Sequence, residues 1–131
     1  MNTKALVSWI GITDLKASQG ELNYGEGPIA SAAKKINFDE VHLLSDHKLT
    51  ESKTFTKWLK QETGISADIW PVKLSSPTHF DEIYEGVVEV LHKLDSDGMD
   101  HQYTFHTSPG TPAMAAVWVL LAKTKFPAEL I

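Results

Sequence analysis

Several residue types that build common functional sites are missing from this chain of 131 residues. It has no cysteine, which excludes disulfides, thiolate zinc sites and cysteine nucleophiles. It also has no arginine, so a bidentate guanidinium cannot hold a phosphate here. The formal net charge of -5 argues against DNA or RNA binding through the phosphate backbone, because that affinity requires clustered Lys and Arg. An anion that binds this chain has to be recognised locally.

Longer sequence patterns are absent as well. No apolar run reaches the roughly 18 residues of a membrane span, and the N-terminus lacks the cleavage pattern of a signal peptide. We therefore expect a cytoplasmic protein. No Gly-x-Gly-x-x-Gly follows the first strand and the Walker pattern is missing, so neither ordinary NAD binding nor ATP hydrolysis by this segment is supported. The six histidines lack zinc-site spacing, and we expect no metal and no cofactor.

Alternating strand and helix patterns run along the whole chain and predict one α/β domain. Strands are predicted at residues 4–10, 41–44, 66–74 and 102–107. Helices are predicted at residues 28–36, 49–63, 79–94 and from 112 onwards. Thr78 and Thr111 are the expected N-caps of the last two helices, and Gly64 is the expected stop of the second. A long loop is expected from Lys16 to Gly27, because its glycines lie among polar residues.

These spacings suit right-handed crossovers and predict a three-layer Rossmann-like fold, with a mainly parallel sheet and helices on both faces. We expect the strand order 3-2-1-4-5. Strands 1 and 4 are then neighbours at the switch point, where ligands bind beyond the carboxyl ends of the strands. Residues 126–131 are typical of a helix stop followed by the first residues of a further strand. We therefore expect the C-terminal part of the domain to be truncated and residues 1–131 to be the N-terminal piece of a longer chain.

A strand, a turn and a helix near the C-terminus carry the main functional signal. The turn is Ser108-Pro-Gly-Thr-Pro112, with Thr111 as N-cap and Pro112 at the first helical position. A helix N-terminus flanked by Gly110 and by two hydroxyl groups is a geometry that binds anions. The same residues also make an efficient strand-to-helix connection without any ligand. Chemistry alone does not separate these two interpretations.

Three further residues near the predicted switch point are candidates for function. Thr13 and Asp14 follow strand 1 and can hydrogen-bond a ribose or a base, although Asp14 serves equally well as a turn cap. His106 precedes the turn and is a candidate for ligand contact or proton transfer, or else a half-buried strand histidine. A phospho-acceptor receiver domain is disfavoured, because its acceptor aspartate should follow strand 3, where Leu74-Ser-Ser-Pro77 stands.

At Ser108-Pro-Gly-Thr-Pro-Ala-Met114 the chain resembles the CARF domains, the CRISPR-associated Rossmann-like sensors of cyclic oligoadenylates. The matching positions are Ser108, Gly110, Thr111 and Met114. The ligand loop after strand 1 matches residues 11–14 by location. Pro112 stands where many members have lysine, which puts the phosphate-contacting lysine and any catalysis that depends on it in doubt. The form of the turn is more similar to variants fused to sigma-54-dependent activators, including the RNA-repair regulator type.

The resemblance implies a homodimeric sensor for a nucleotide-like or RNA-derived phosphate ligand. Its output domain would be a sigma-54-dependent AAA+ transcriptional activator outside these residues. A sensor would leave its ligand uncleaved, and the composition leads us to expect no direct contact of this segment with DNA or a membrane. The expected ligand-binding residues are Gly11, Thr13, Asp14, Thr107, Ser108, Pro109, Gly110, Thr111 and Met114. One alternative is a ring nuclease that uses Thr111, Ser108 and His106 to cleave cyclic oligoadenylates. Another is a dimerisation module that binds no ligand.

Overall fold

The computed structural model describes residues 2–21, 23 and 25–131. Within these residues the strands are β1 (Asn2–Trp9), β2 (Glu40–Ser45), β3 (Ala67–Pro71), β4 (Asp100–Phe105) and β5 (Ala128–Leu130). The helices are α1 (Ile12–Ser18), α2 (Gly27–Lys35), α3 (Leu49–Thr63), α4 (Phe80–Asp95) and α5 (Pro112–Ala122). All strand pairs are parallel and the order is β3-β2-β1-β4-β5. The predicted Rossmann-like α/β fold and its strand order are therefore confirmed.

The central strand β1 is buried on both faces. It pairs with β2 on one side and with β4 on the other. Ala5, Val7 and Trp9 belong to the core that includes α4 and α5, whereas Leu6 and Ile10 belong to the core that includes α1, α2 and α3. A strand that is covered on both faces needs apolar side chains at successive positions, which explains why its sequence does not alternate.

Each face of the sheet carries its own hydrophobic core. Against α4 and α5, the rings of Phe105 and Trp118 lie 4.6 Å apart between centroids, and both side chains are fully buried. Against α1, α2 and α3, the core includes Phe55 and Leu59 of α3. No helix of the described chain is both long and apolar enough to cross a membrane. The two helix layers hold the sheet between them and leave the carboxyl ends of the strands open.

The helix ends mostly follow the sequence signals. Gly64 ends α3 in the left-handed conformation, with φ of 77°, and Thr111 caps α5, as predicted. The prediction that Thr78 caps α4 is wrong. His79 is the N-cap, and its ring Nδ1 accepts a hydrogen bond of 3.3 Å from the backbone N–H of Glu82. The Thr78 hydroxyl instead lies 2.9 Å from the hydroxyl of Ser76 within the preceding turn.

The segment after β1 differs from the prediction. Helix α1 covers residues 12–18, so the expected loop is wrong for residues 16–18, and Thr13 and Asp14 lie in the first turn of a helix. This helix has only seven residues and starts after Gly11, which has no capping side chain. It therefore lacks the Ser, Thr, Asp or Asn that usually marks a helix start. Residues 22 and 24 of the expected loop lie outside the described residues.

Candidate functional site

A pocket of about 260 Å³ opens at the carboxyl ends of β1 and β4. The chain leaves β1 into α1 on one face of the sheet and leaves β4 into α5 on the other face. The pocket therefore lies at the switch point, where open α/β sheets bind ligands. Loops that follow four of the strands contribute to its wall, at residues 10–14, 46–47, 77 and 108–111.

Eight of the nine predicted ligand-binding residues line this pocket. They are Gly11, Thr13, Asp14, Ser108, Pro109, Gly110, Thr111 and Met114. Thr107 is not among the lining residues, since its backbone N–H and its hydroxyl both donate to the carbonyl of Ile131, at 2.9 and 2.8 Å. The three residues of the ring-nuclease alternative are divided. Thr111 lines the pocket, His106 lines a neighbouring cavity on the α2 side of the sheet, and Ser108 lines both.

Two glycines allow the loops after β1 and β4 to touch. An ideal Cβ on Gly11 would lie 2.8 Å from the backbone nitrogen of Gly110, closer than such atoms approach in proteins. Gly110 itself has a φ of +90°, and a Cβ there would lie 2.5 Å from the sulfur of Met114. Gly11 therefore needs to lack a side chain because main chain lies against it, and Gly110 favours glycine because of its positive φ. Gly110 is exposed and presents main chain to the pocket. A ligand in the pocket can approach that main chain closely.

The hydroxyl of Thr111 fixes the start of α5. It accepts a hydrogen bond of 3.3 Å from the backbone N–H of Met114, and it donates one of 2.6 Å to the carbonyl of Pro77. The second bond fastens the loop before α4 to the turn after β4. The Ser108 hydroxyl, by contrast, is exposed and has no hydrogen-bond partner among the described residues. Ser108 is thus a free donor beside the positive end of the α5 dipole.

Asp14 lies fully buried at the base of the pocket. Its Oδ2 accepts a hydrogen bond of 3.0 Å from the backbone N–H of Gly11, and its Oδ1 accepts one of 3.0 Å from the N–H of Ile29. The carboxylate therefore caps α1 and joins it to the first turn of α2. Burial raises the pKa of Asp14 to about 6, although the backbone donors oppose this effect. These contacts agree with the capping interpretation and make Asp14 a positioning residue.

Several residues that line the pocket were not predicted from the sequence. Pro28 and Pro77 lie on segments that reach the pocket from other parts of the chain, and Asp46 and His47 follow β2. The ring Nε2 of His47 lies 3.0 Å from the carbonyl of Ile10, so the loop after β2 is joined to the end of β1. A signal for this loop was available, because β2 is the neighbour of β1 and its carboxyl end meets the same edge of the sheet.

The charge around the pocket is modest. Among the described residues that line it, Asp14 and Asp46 are acidic, His47 is the histidine and none is a lysine. A bound phosphate would therefore be held by hydroxyl groups, backbone N–H groups and the α5 dipole, and not by lysine side chains lining this pocket. Ile10, Ile12 and Met114 supply apolar surface in the same pocket. The combination suits a ligand with both an anionic and an apolar part.

These features define the class of the molecule as a Rossmann-like α/β domain with a ligand-type pocket at the switch point. No family model and no curated protein matches the chain. A solved structure does match, that of Enterococcus italicus Csm6 bound to cyclic hexa-2'-fluoro-hexa-dAMP, with a TM-score of 0.77 and 16% sequence identity. The match covers 98% of this chain but 32% of the Csm6 chain, so this chain spans about a third of that protein's length. The likeness shows a shared fold.

Proposed function

We propose that this domain is a sensor of the CARF type, which binds a nucleotide-like, oligoadenylate or RNA-derived phosphate ligand at the carboxyl ends of β1 and β4. One observation carries the proposal: residues selected from the two predicted loops converge on a single pocket at the switch point. The fold supports it, because Csm6 is a CARF-domain protein and its matching structure is bound to a cyclic oligonucleotide.

The pocket can recognise such a ligand through a few local contacts. The Ser108 hydroxyl donates to a phosphate oxygen, and the dipole of α5 favours the negative charge. Gly110 lets the phosphate approach the main chain, because no side chain stands in front of it. The exposed side chain of Ile12 and the sulfur of Met114 offer apolar contact to a base. Thr13 is exposed on α1 and can hydrogen-bond a ribose hydroxyl.

The proposal includes a homodimer that controls an attached output domain, such as a sigma-54-dependent AAA+ transcriptional activator. Helix α5 begins at the pocket and consists entirely of apolar residues, yet it packs on the sheet with only one side. Val119 and Leu120 on its outer side are 40% and 43% exposed. Pairing of two copies through this outer side would cover that apolar surface. Ligand would then act by binding two arrangements of the dimer with different affinity.

Calorimetric titration tests ligand binding. The probes are cyclic oligoadenylates of different ring size and RNA ends that carry a 2',3'-cyclic phosphate. Ser108→Glu adds a negative charge at the pocket and removes no hydrogen bond within the protein, and we expect it to weaken ligand binding at least tenfold. Ser66→Glu is the matched control, because Ser66 is exposed before β3, at the amino ends of the strands. Equal affinity of the wild type and Ser108→Glu would contradict the site.

The ligand recovered after titration separates the sensor from the ring nuclease. A sensor leaves the oligoadenylate intact, whereas a ring nuclease converts it to linear or cyclic-phosphate products that chromatography resolves. Recovery of intact ligand is expected, because the Thr111 hydroxyl already donates to the Pro77 carbonyl. Cleaved ligand would move the assignment to the nuclease. Failure of a folded sample to bind any probe would leave the dimerisation module as the remaining function.

A further inference from the structure

A second cavity adjoins the pocket on the α2 side of the sheet. It also measures about 260 Å³. Helix α2 supplies Ser31 and Lys35 to its wall, and His106 enters it from the end of β4. Pro28 and Ser108 line both this cavity and the pocket, so the two spaces are neighbours. A single ligand can therefore extend from one into the other past Ser108.

His106 is the buried polar group of this cavity. Phe105 before it packs in the core with α5, so the alternation along the chain directs His106 to the opposite face. The residue is 5% exposed, and its ring Nδ1 has no hydrogen-bond partner among the described residues. Such unpartnered buried atoms are uncommon in folded proteins. Burial lowers the pKa of His106 to about 4, so the ring is neutral near pH 7 and presents one donor and one acceptor.

The rest of the cavity combines apolar walls with one cation. Ala32, Ile36 and Ile131 supply apolar surface. Lys35 is exposed in the last turn of α2 and makes no ion pair with any residue of the described chain. The volume is below the roughly 300 to 1,000 Å³ of pockets that enclose drug-sized ligands, so the cavity suits a single flat heterocycle. The neutral ring of His106 between apolar walls can hydrogen-bond the edge of a nucleobase. The ammonium group of Lys35 can pair with a phosphodiester.

We propose that this cavity is a base-binding subsite of the ligand site, in which His106 and Ser31 hydrogen-bond the edge of a nucleobase and Lys35 pairs with the phosphate that leads to the main pocket. The subsite rests on the proposed function and specifies the ligand further. The ligand must contain at least two nucleotide units, because one phosphate occupies the start of α5 while a base lies on the α2 side of the sheet. A single mononucleotide fills only one of the two spaces.

Titration of four proteins tests the subsite: the wild type, His106→Phe, Lys35→Gln and the control Lys57→Gln. The probes are cyclic hexaadenylate and an RNA trinucleotide that ends in adenosine 2',3'-cyclic phosphate. Phe keeps an aromatic ring at position 106 and removes its hydrogen bonds, and we expect about threefold to tenfold weaker binding. Lys35→Gln should weaken binding by a similar factor and reduce its salt dependence. Lys57 is exposed on α3, away from both cavities, and its variant should bind like the wild type.

A second measurement uses the unaltered protein and does not depend on the folding of the variants. In nitrogen-15 spectra of labelled histidine, saturation with the bound probe should move the ring resonances of His106. The subsite would be overturned if both cavity variants bind with wild-type affinity and the His106 resonances do not move. If Ser108→Glu also loses binding in that case, the main pocket still stands. Failure of the folded wild type to bind either probe would overturn the proposed function, and the subsite with it.

Discussion

Replacing either of two buried titratable residues, Asp14 or His106, should change how the stability of the domain depends on pH. Burial raises the pKa of Asp14 from 3.8 to about 6 and lowers the pKa of His106 from 6.5 to about 4. In both cases the charged form is poorly solvated inside the protein. At 1.36 kcal/mol per pKa unit, each change corresponds to about 3 kcal/mol of folding free energy.

The two contributions have opposite signs. The folded protein holds the Asp14 proton more tightly than the unfolded chain does. The contribution of Asp14 to the free energy of unfolding is therefore complete below pH 3.8 and is lost as the pH rises through about 6. The folded protein holds the His106 proton less tightly, so its contribution is complete above pH 6.5 and is lost as the pH falls through about 4. In the wild type the two dependences largely cancel across this window.

Urea unfolding at pH steps between 4 and 7 measures the effect, with the free energy of unfolding of each variant compared with the wild type at the same pH. Asp14→Asn should lose about 3 kcal/mol of stability as the pH falls across the window, because only the His106 contribution remains. His106→Gln should gain a similar amount. The other titrating groups cancel in the comparison, and lost hydrogen bonds add an offset that does not vary with pH. Differences that stay constant with pH in both variants would refute the reasoning.

Three further substitutions test the turn and the outer side of α5. Gly110→Ala should lower the melting temperature more than Gly20→Ala. Both glycines have positive φ, but only at Gly110 would a Cβ lie against another atom. An equal decrease in melting temperature would mean that backbone strain is the whole effect. Thr111→Val removes the cap of α5 and should lower the free energy of unfolding by about 1 kcal/mol, as measured by urea unfolding. An unchanged unfolding midpoint would contradict the capping role. Leu120→Lys should convert the dimer to a monomer, as measured by light scattering, whereas Leu49→Lys, at a similarly exposed leucine of α3, should not. A monomeric wild type would contradict the proposed dimer.

Much of the fold could be predicted because its signals are local. The apolar run of β1, the amphipathic α3 with Gly64 behind it and the Thr111 cap each depend on residues close together in the chain. Helix α1 could not be predicted in the same way. Its cap is the carboxylate of Asp14 folding back onto the N–H of Gly11, and its stability depends on packing with α2 and α3, which no local pattern records.

The position of the pocket followed from the strand order, but its complete wall did not. To locate the switch point it is enough to know which strands pair with β1, and these strands were predicted correctly. The hydrogen bond from Thr111 to Pro77 joins residues that are 34 positions apart, and no sequence signal marks it. The separation of His106 in the second cavity from Thr111 in the main pocket depends on which face of the sheet each side chain takes at the end of β4, where the strand gives way to the turn.

The contact between Gly11 and Gly110 has a mechanical consequence. It is a point where the starts of two helices meet before they run to opposite faces of the sheet, α1 to one and α5 to the other. A molecule that pushes these two turns apart would act on both layers at once, with each helix serving as a lever about 10 to 17 Å long at 1.5 Å per residue. Movement of the turn after β4 would be carried along α5 to the exposed apolar side chains of Val119 and Leu120 on its outer side.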